Sequence, residues 1–261
     1  MGTELRPVLN LDVGTLYAFL LVLTRVTGIF VFVPLPGIKS GPDMARVVLS
    51  LAVTMAMYPR WPAIDAVTTG PGLLIGWMLS EAALGIAVGV TVALLSEMFQ
   101  MGAQIISLQA GYSFATTIDP TSGADSGVLL TIAQTAAGLL FFATGLDRQI
   151  LLAFAQSLAV HPPGHFAVTD SMVHQVIQAG SAIFSVGLRL VLPLLALLVI
   201  VDISLALLAR LNSQLQLITL AFPIKMLVSL ALLAWLILIF PKLFTQLSIP
   251  ILKLVHGLLL A

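Results

Sequence analysis

Residues 72–109 read GLLIGWMLSEAALGIAVGVTVALLSEMFQMGAQIISLQ, and no proline follows until Pro120. As one unbroken helix this stretch is about 57 Å long at the α-helical rise, well beyond a hydrocarbon core of about 30 Å. Only Glu81 and Glu97 carry charge within it. The segment is a rod too apolar for water and too long for a simple bilayer crossing. Part of it must protrude, tilt strongly or be enclosed by protein.

The rest of the chain agrees on the solvent. Of 261 residues, 59% are hydrophobic and 8% charged, against about 45–50% and about 25% in soluble domains. Eleven basic and eleven acidic residues cancel to +0, so no polybasic footprint points to nucleic acid or to strong attraction by anionic lipid. The absence of cysteine excludes disulfides, thiolate metal sites and a cysteine nucleophile. The N-terminal MGTELRPVLNLDVG lacks the basic, apolar and small-residue regions of a signal peptide, so the chain is expected to be retained whole. Arg6 breaks the myristoylation pattern.

Outward from the central rod, residues 13–35 form an apolar segment ended by Pro34-Leu35-Pro36-Gly37. Residues 44–58 are marginal as a span and equally suit a hairpin arm or a re-entrant piece. Residues 128–146 give another span, and 147–160 an amphipathic segment suited to an interface or a partner. The loop HPPGHFAVTD follows. A second over-long segment runs from Met172 to Arg210 with a kink expected at Pro193, and Asn212-Ser213 marks a turn. Residues 215–240 return as helix with a second kink at Pro223, and the tail 243–261, interrupted by Pro250, reads as a short separate packing helix. No internal repeat is visible. Basic residues are spread over too many connections to fix an orientation.

Several polar residues lie within the apolar runs. Arg25 at mid-depth costs about 2.5–3.5 kcal/mol on the insertion scale, so it either snorkels to an interface or pairs inside protein. Glu81, Gly85, Gly89, Ala93 and Glu97 recur every four residues and form one ridge of small residues with a carboxylate at each end. Small ridges let a second backbone approach closely. They leave Glu81 needing a donor. Asp202 lies eleven residues before Ser213 and Lys225 twelve after it. Across an antiparallel hairpin the two charges meet at nearly one depth, which lowers the cost of burying either. The competing partners for Asp202 are Arg210 and a neighbouring subunit.

Between two apolar runs stands GYSFATTIDPTSGADSG, residues 111–127. It is either a plain exposed connection or the working part. GYSF resembles a serine nucleophile turn, but Ala115 replaces the second glycine of G-x-S-x-G, and His161 and His165 lie on another loop. No zinc-protease helix, phosphate-cradling loop or His/carboxylate cluster at metal spacing occurs, so neither catalysis nor a metal or other cofactor is expected.

The ordered set Arg25/Gly28, Pro34, Pro36, Pro42, Arg46; Glu81, Gly85, Gly89; Gln109, Gly111, Asp119-Pro120; Pro162-Pro163-Gly164; and Pro193, Asp202, Arg210, Phe222-Pro223, Lys225 resembles the FliR family of flagellar biosynthetic proteins and its virulence-secretion relatives. The likeness spans nearly the whole chain. Ser213 departs from a family proline and Asp147-Arg148 from a Gly-His-His stretch. The resemblance implies an all-α integral membrane protein of long, kinked helical hairpins packed into a multi-subunit export gate. Residues 1–171 would be a FliP-like portion, and 172–261 a FliQ-like hairpin with a C-terminal helix. It implies FliP-like and FliQ-like partners, FlhB-like and FlhA-like proteins beneath, unfolded export substrates, surrounding membrane lipid, and a place in the bacterial inner membrane at the flagellar basal body. It also implies that Gly111, Tyr112, Ser113, Phe114, Ala115, Thr116, Thr117, Ile118, Asp119 and Pro120 plug the closed channel. Non-helical backbone at membrane depth survives only inside protein or beside water. The alternative is a secondary transporter whose midplane site is lined by Arg25, Glu81, Asp202 and Lys225. A third class, an intramembrane hydrolase, would require Ser113 beside a histidine.

Overall fold

The computed structural model describes residues 12–36, 43–65, 69–112, 127–164, 169–211 and 217–260. Their regular structure is helical: α1 (Val13–Phe32), α2 (Met44–Ala56), a 3-10 turn (Tyr58–Arg60), α3 (Pro71–Ala110), α4 (Val128–Ala143), α5 (Leu146–Val160), α6 (Asp170–Leu211) and α7 (Leu217–Leu260). Four of these helices are long and apolar enough to cross a membrane, or five if the bent pair α4–α5 counts as one span. The protein is an all-α integral membrane protein.

Local chemistry sets the ends. The Asp12 carboxylate accepts from the Val13 amide at 2.8 Å and starts α1, and Pro34 and Pro36 stop the chain from continuing it. Pro71 occupies the first turn of α3, where its missing N–H is no loss. Forty residues later Gly111 turns left-handed at φ 86°. There its amide bonds the Leu108 carbonyl at 3.2 Å and the Tyr112 amide bonds that of Ser107 at 3.1 Å, a paired closure that satisfies two otherwise orphaned carbonyls. Thus α3 is the single rod its sequence predicts, about 60 Å at the α-helical rise.

The axis of the fold is α3, against which α1, α4, α6 and α7 all pack. Val88, Val92 and Leu95 are buried in this core with Val22 and Val26 of α1. Phe99 meets Phe240 and Phe244 of α7 at ring-centroid distances of 4.1 and 5.9 Å. A break at Thr144-Gly145 bends α4 from α5 by 60°, close to the division expected between 146 and 147. Pro193 lies inside α6, which runs on to Leu211.

The tail departs from expectation. Rather than a separate short helix beyond 243, it is the end of α7, which continues through Pro223, Pro241 and Pro250. A proline deletes one backbone donor, but leaving helix altogether in apolar surroundings would strand several backbone groups. Continuing is the smaller loss.

Candidate functional site

Two charged clusters sit at separate levels of α3. The first is fully enclosed: Arg25 of α1 and Glu81 of α3 are both 0% exposed and form an ion pair through Arg25 Nε and Glu81 Oε2. Arg25 Nη1 donates to Ser157 Oγ of α5 at 3.1 Å, and Nη2 to the His161 carbonyl at 3.3 Å. The second carboxylate oxygen of Glu81 accepts from the Gly164 amide at 3.0 Å. Arginine's fork is thus spread over three acceptors, and the carboxylate is satisfied from two sides. Arg25 is paired within the protein and does not snorkel. Three helices and the Pro-Pro-Gly loop meet at this one point.

Beside the pair, the small ridge does what its spacing anticipates. Gly28 and Gly85 lie so close that a Cβ on Gly28 would come within 2.9 Å of the Gly85 Cα. One on Gly89 would meet the Ile29 carbonyl oxygen at 2.7 Å. Glycine at these positions lets α1 and α3 touch backbone to backbone, and that approach holds Arg25 over Glu81. Ala93 is half-buried, and Glu97 is exposed with Gln100 as its hydrogen-bond partner.

The second cluster lies where α3 ends. Lys225 Nζ stands 2.7 Å from Asp202 Oδ1, the contact that counting from Ser213 anticipates; the turn itself lies outside the described residues. Gln109 Nε2 donates to Asp202 Oδ2 at 3.1 Å, and the Tyr112 hydroxyl to the Met226 carbonyl at 3.1 Å. These bonds tie the end of α3 to both α6 and α7. Arg210 is exposed on the last turn of α6 and has no ion-pair partner among the described residues. Of the expected plug, Gly111 and Tyr112 are described as the closure of α3, while Ser113, Phe114, Ala115, Thr116, Thr117, Ile118, Asp119 and Pro120 lie outside the described residues.

Sequence reasoning underrated several participants. Ser157, the His161 carbonyl and the Gly164 amide complete the first cluster. The only hint was a hydroxyl at Ser157 one helical turn before the conspicuous Pro-Pro-Gly. Arg46, 2% exposed, places Nη1 against the carbonyls of Phe30, Val31 (3.0 Å) and Val33 (2.8 Å). It thereby caps the C-terminal end of α1 from α2, a placement that also complements the helix dipole.

Comparison with known proteins gives a consistent result. The sequence profile of the bacterial export proteins, family 1, matches residues 16–249. The flagellar biosynthetic protein FliR of Escherichia coli K12 is 30% identical over 213 residues, covering 81% of each chain. That of Bacillus subtilis 168 is 26% identical over 220 residues, covering 81% of this chain and 83% of the relative. The Yop proteins translocation protein T of Yersinia pestis is 28% identical over 221 residues, covering 80% and 82%.

Proposed function

The chain belongs to the bacterial export proteins of family 1, the FliR family, and from that premise we propose that it is a structural and gating subunit of a flagellar or type III export channel. It would assemble with FliP-like and FliQ-like subunits above FlhB-like and FlhA-like proteins in the inner membrane at the basal body. Unfolded polypeptides would pass through. The observation that carries this reading is the uncovered length of α6. Only 17% of its most apolar stretch is buried, and large hydrophobic residues are exposed from Val173 through Phe184, Leu192 and Ile200 to Leu211, about 57 Å along the helix. Up to Arg189 they are interleaved with exposed His174, Gln175, Gln178, Ser181 and Ser185, a mixed surface that suits neither hydrocarbon nor water. Sister subunits would cover it. Residues 1–171 and 172–261 would be the FliP-like and FliQ-like portions of one composite subunit.

Within this reading, residues 111–122 plug the closed pore, with the Gly111 turn and the Tyr112 hydroxyl fixing the root of the plug to α3 and α7. Coexpression tests the assembly: the chain should co-purify as one particle with FliP-like and FliQ-like subunits and be ill-behaved alone. A stable, monodisperse lone particle would refute the proposal. Deleting 113–120 should leave that particle intact but let small ions leak through reconstituted membranes, and unchanged conductance would remove the plug.

A further inference from the structure

The exposed stripe of α3 changes character along its length. Ile75, Leu79 and Ile86 are bare and apolar. Beyond Ala93 the stripe presents Glu97 and Gln104, both exposed, with Gln100 half-buried between them. Positions 97, 100 and 104 share one helical face, and the polar run is about 10 Å long at the α-helical rise. An independent helix repeats the pattern: on α4, Thr131 and Gln134 are exposed near its start, whereas Leu139 and Phe142 are exposed towards its end.

Hydrogen bonds join the two polar zones. Gln134 Nε2 donates to Gln100 Oε1 at 2.8 Å, and Gln100 Nε2 donates to Glu97 Oε1 at 3.2 Å. One continuous face of carboxylate, amides and hydroxyl therefore lies near the ends of α3 and α4 from which residues 113–126 depart. Leu108 and Val128, both exposed, stand at its rim. Gln104 has no hydrogen-bond partner among the described residues. Hydrocarbon would leave such groups unsatisfied, so this face does not look onto lipid.

We propose that the face formed by Glu97, Gln100 and Gln104 of α3 with Thr131 and Gln134 of α4 is this chain's share of the wall of the water-filled conduit, and that it receives the extended polypeptide in transit. The proposal rests on the channel reading above and adds to it which surface the cargo touches. Side-chain amides carry both donors and acceptors, so they can pair with the main chain of an extended segment whatever its side chains. At about 3.3 Å per residue of extended chain, the face spans roughly three cargo residues. A sister helix is a poorer occupant, because its main-chain groups are already paired within it. Only one formal charge, on Glu97, stands among these amides and hydroxyl, which suits cargo of either sign.

The chain's lack of cysteine allows a direct test in the complete assembly with its partner subunits, reconstituted in vesicles and carrying the 113–120 deletion. Single Glu97→Cys, Gln104→Cys, Thr131→Cys and Gln134→Cys variants are treated with a charged, membrane-impermeant methanethiosulfonate while ionic current is recorded. Leu79→Cys and Leu139→Cys serve as apolar controls. Modification at the four polar positions is expected about a hundredfold faster than at the controls, because an apolar setting that raises a thiol pKa by two units removes about 99% of its thiolate. The attached charge should also alter the current. Slow modification at all positions in a conducting assembly overturns the proposed face and leaves the channel reading standing. Rapid modification without a change in current does the same, since the face would then be wet but outside the conduit. An assembly without current, and with its polar positions unreactive, defeats the channel reading and this proposal with it.

Discussion

Replacing Glu81 with glutamine removes one negative charge with little change of shape. In the native protein Arg25 and Glu81 are both fully buried, and the guanidinium has Glu81, Ser157 Oγ at 3.1 Å and the His161 carbonyl at 3.3 Å as its acceptors. Glutamine can still accept from the Gly164 amide through its side-chain oxygen, but Arg25 is left charged among neutral groups. Breaking a buried pair on one side costs about 3–5 kcal/mol, and each 1.4 kcal/mol is about tenfold in an equilibrium constant. Glu81→Gln should therefore lower the folding equilibrium by roughly two to three and a half orders of magnitude. The double variant Arg25→Met/Glu81→Leu buries no charge. It forfeits the bonds to Ser157, the His161 carbonyl and Gly164, at about 1 kcal/mol each, and should stand within about 3 kcal/mol of the native protein. Unfolding in mixed detergent micelles measures both, and Trp77 is a local reporter, since its indole lies against Gly164. A Glu81→Gln protein within about 1 kcal/mol of native, or a double variant worse than the single one, would refute the assignment of a mutually dependent pair.

Gly85→Ala and Gly89→Ala should each destabilise by about 1–3 kcal/mol by forcing α1 from α3, whereas Gly76→Ala, whose Cβ meets nothing within 4 Å, should stabilise by about 0.5–1 kcal/mol; thermal melts of the purified assembly compare them. Arg46→Met should cost about 1.5–3 kcal/mol, the worth of one charge-assisted bond, because its carbonyl partners share a single nitrogen; hydrogen exchange should rise selectively near the end of α1. The coupling between Asp202→Asn and Lys225→Gln in a double-mutant cycle should be only about 0–1 kcal/mol, since the Asp202 side chain is 37% exposed and its charge is screened by solvent; a value above about 2 kcal/mol would mean that the pair is shielded in the assembly.

The parts of this architecture that local rules govern were legible. An uninterrupted α3 followed from the lack of proline, and the Asp202–Lys225 contact from counting outward along two helices from one turn. What connects Arg25 to Glu81 is not local: 56 residues separate them, and the bonds with Ser157, His161 and Gly164 depend on the 60° bend between α4 and α5, which brings the end of α5 to Arg25. The spacing of Gly85 and Gly89 revealed a close approach without naming the helix that makes it. Arg46 stands among the motif residues, but its capping contact is not legible in sequence, because a basic residue near the start of a short helix resembles a surface charge, whereas its acceptors belong to the end of another helix. The tail was misread for a general reason. Proline breaks helices where water can satisfy the freed backbone, whereas α7 is apolar on average and stays helical through all three of its internal prolines.

The unequal burial of the helices carries a further consequence for how the molecule holds together. In their most apolar stretches α1 and α3 are each 44% buried, against 28% for α7 and 17% for α6. The first two helices obtain their packing from one another, through the glycine ridge and an ion pair shut away from solvent. By contrast α6 meets α3 through Gly187 against Met98 and Gly102 against Val191, and through a charged cluster that this chain leaves partly exposed. A buried pair is rigid because parting its members exposes each charge to a medium that cannot solvate it; a pair left 18% and 37% exposed can part at less cost wherever water reaches it and replaces the partner. The N-terminal helices should therefore move as one body about the Arg25–Glu81 node, while the position of α6 and α7 is set mainly by whatever covers their bare faces. Movement in this protein should then begin where α6 and α7 meet the end of α3, at Gln109, Tyr112, Asp202 and Lys225, the residues from which the 113–126 segment is hung.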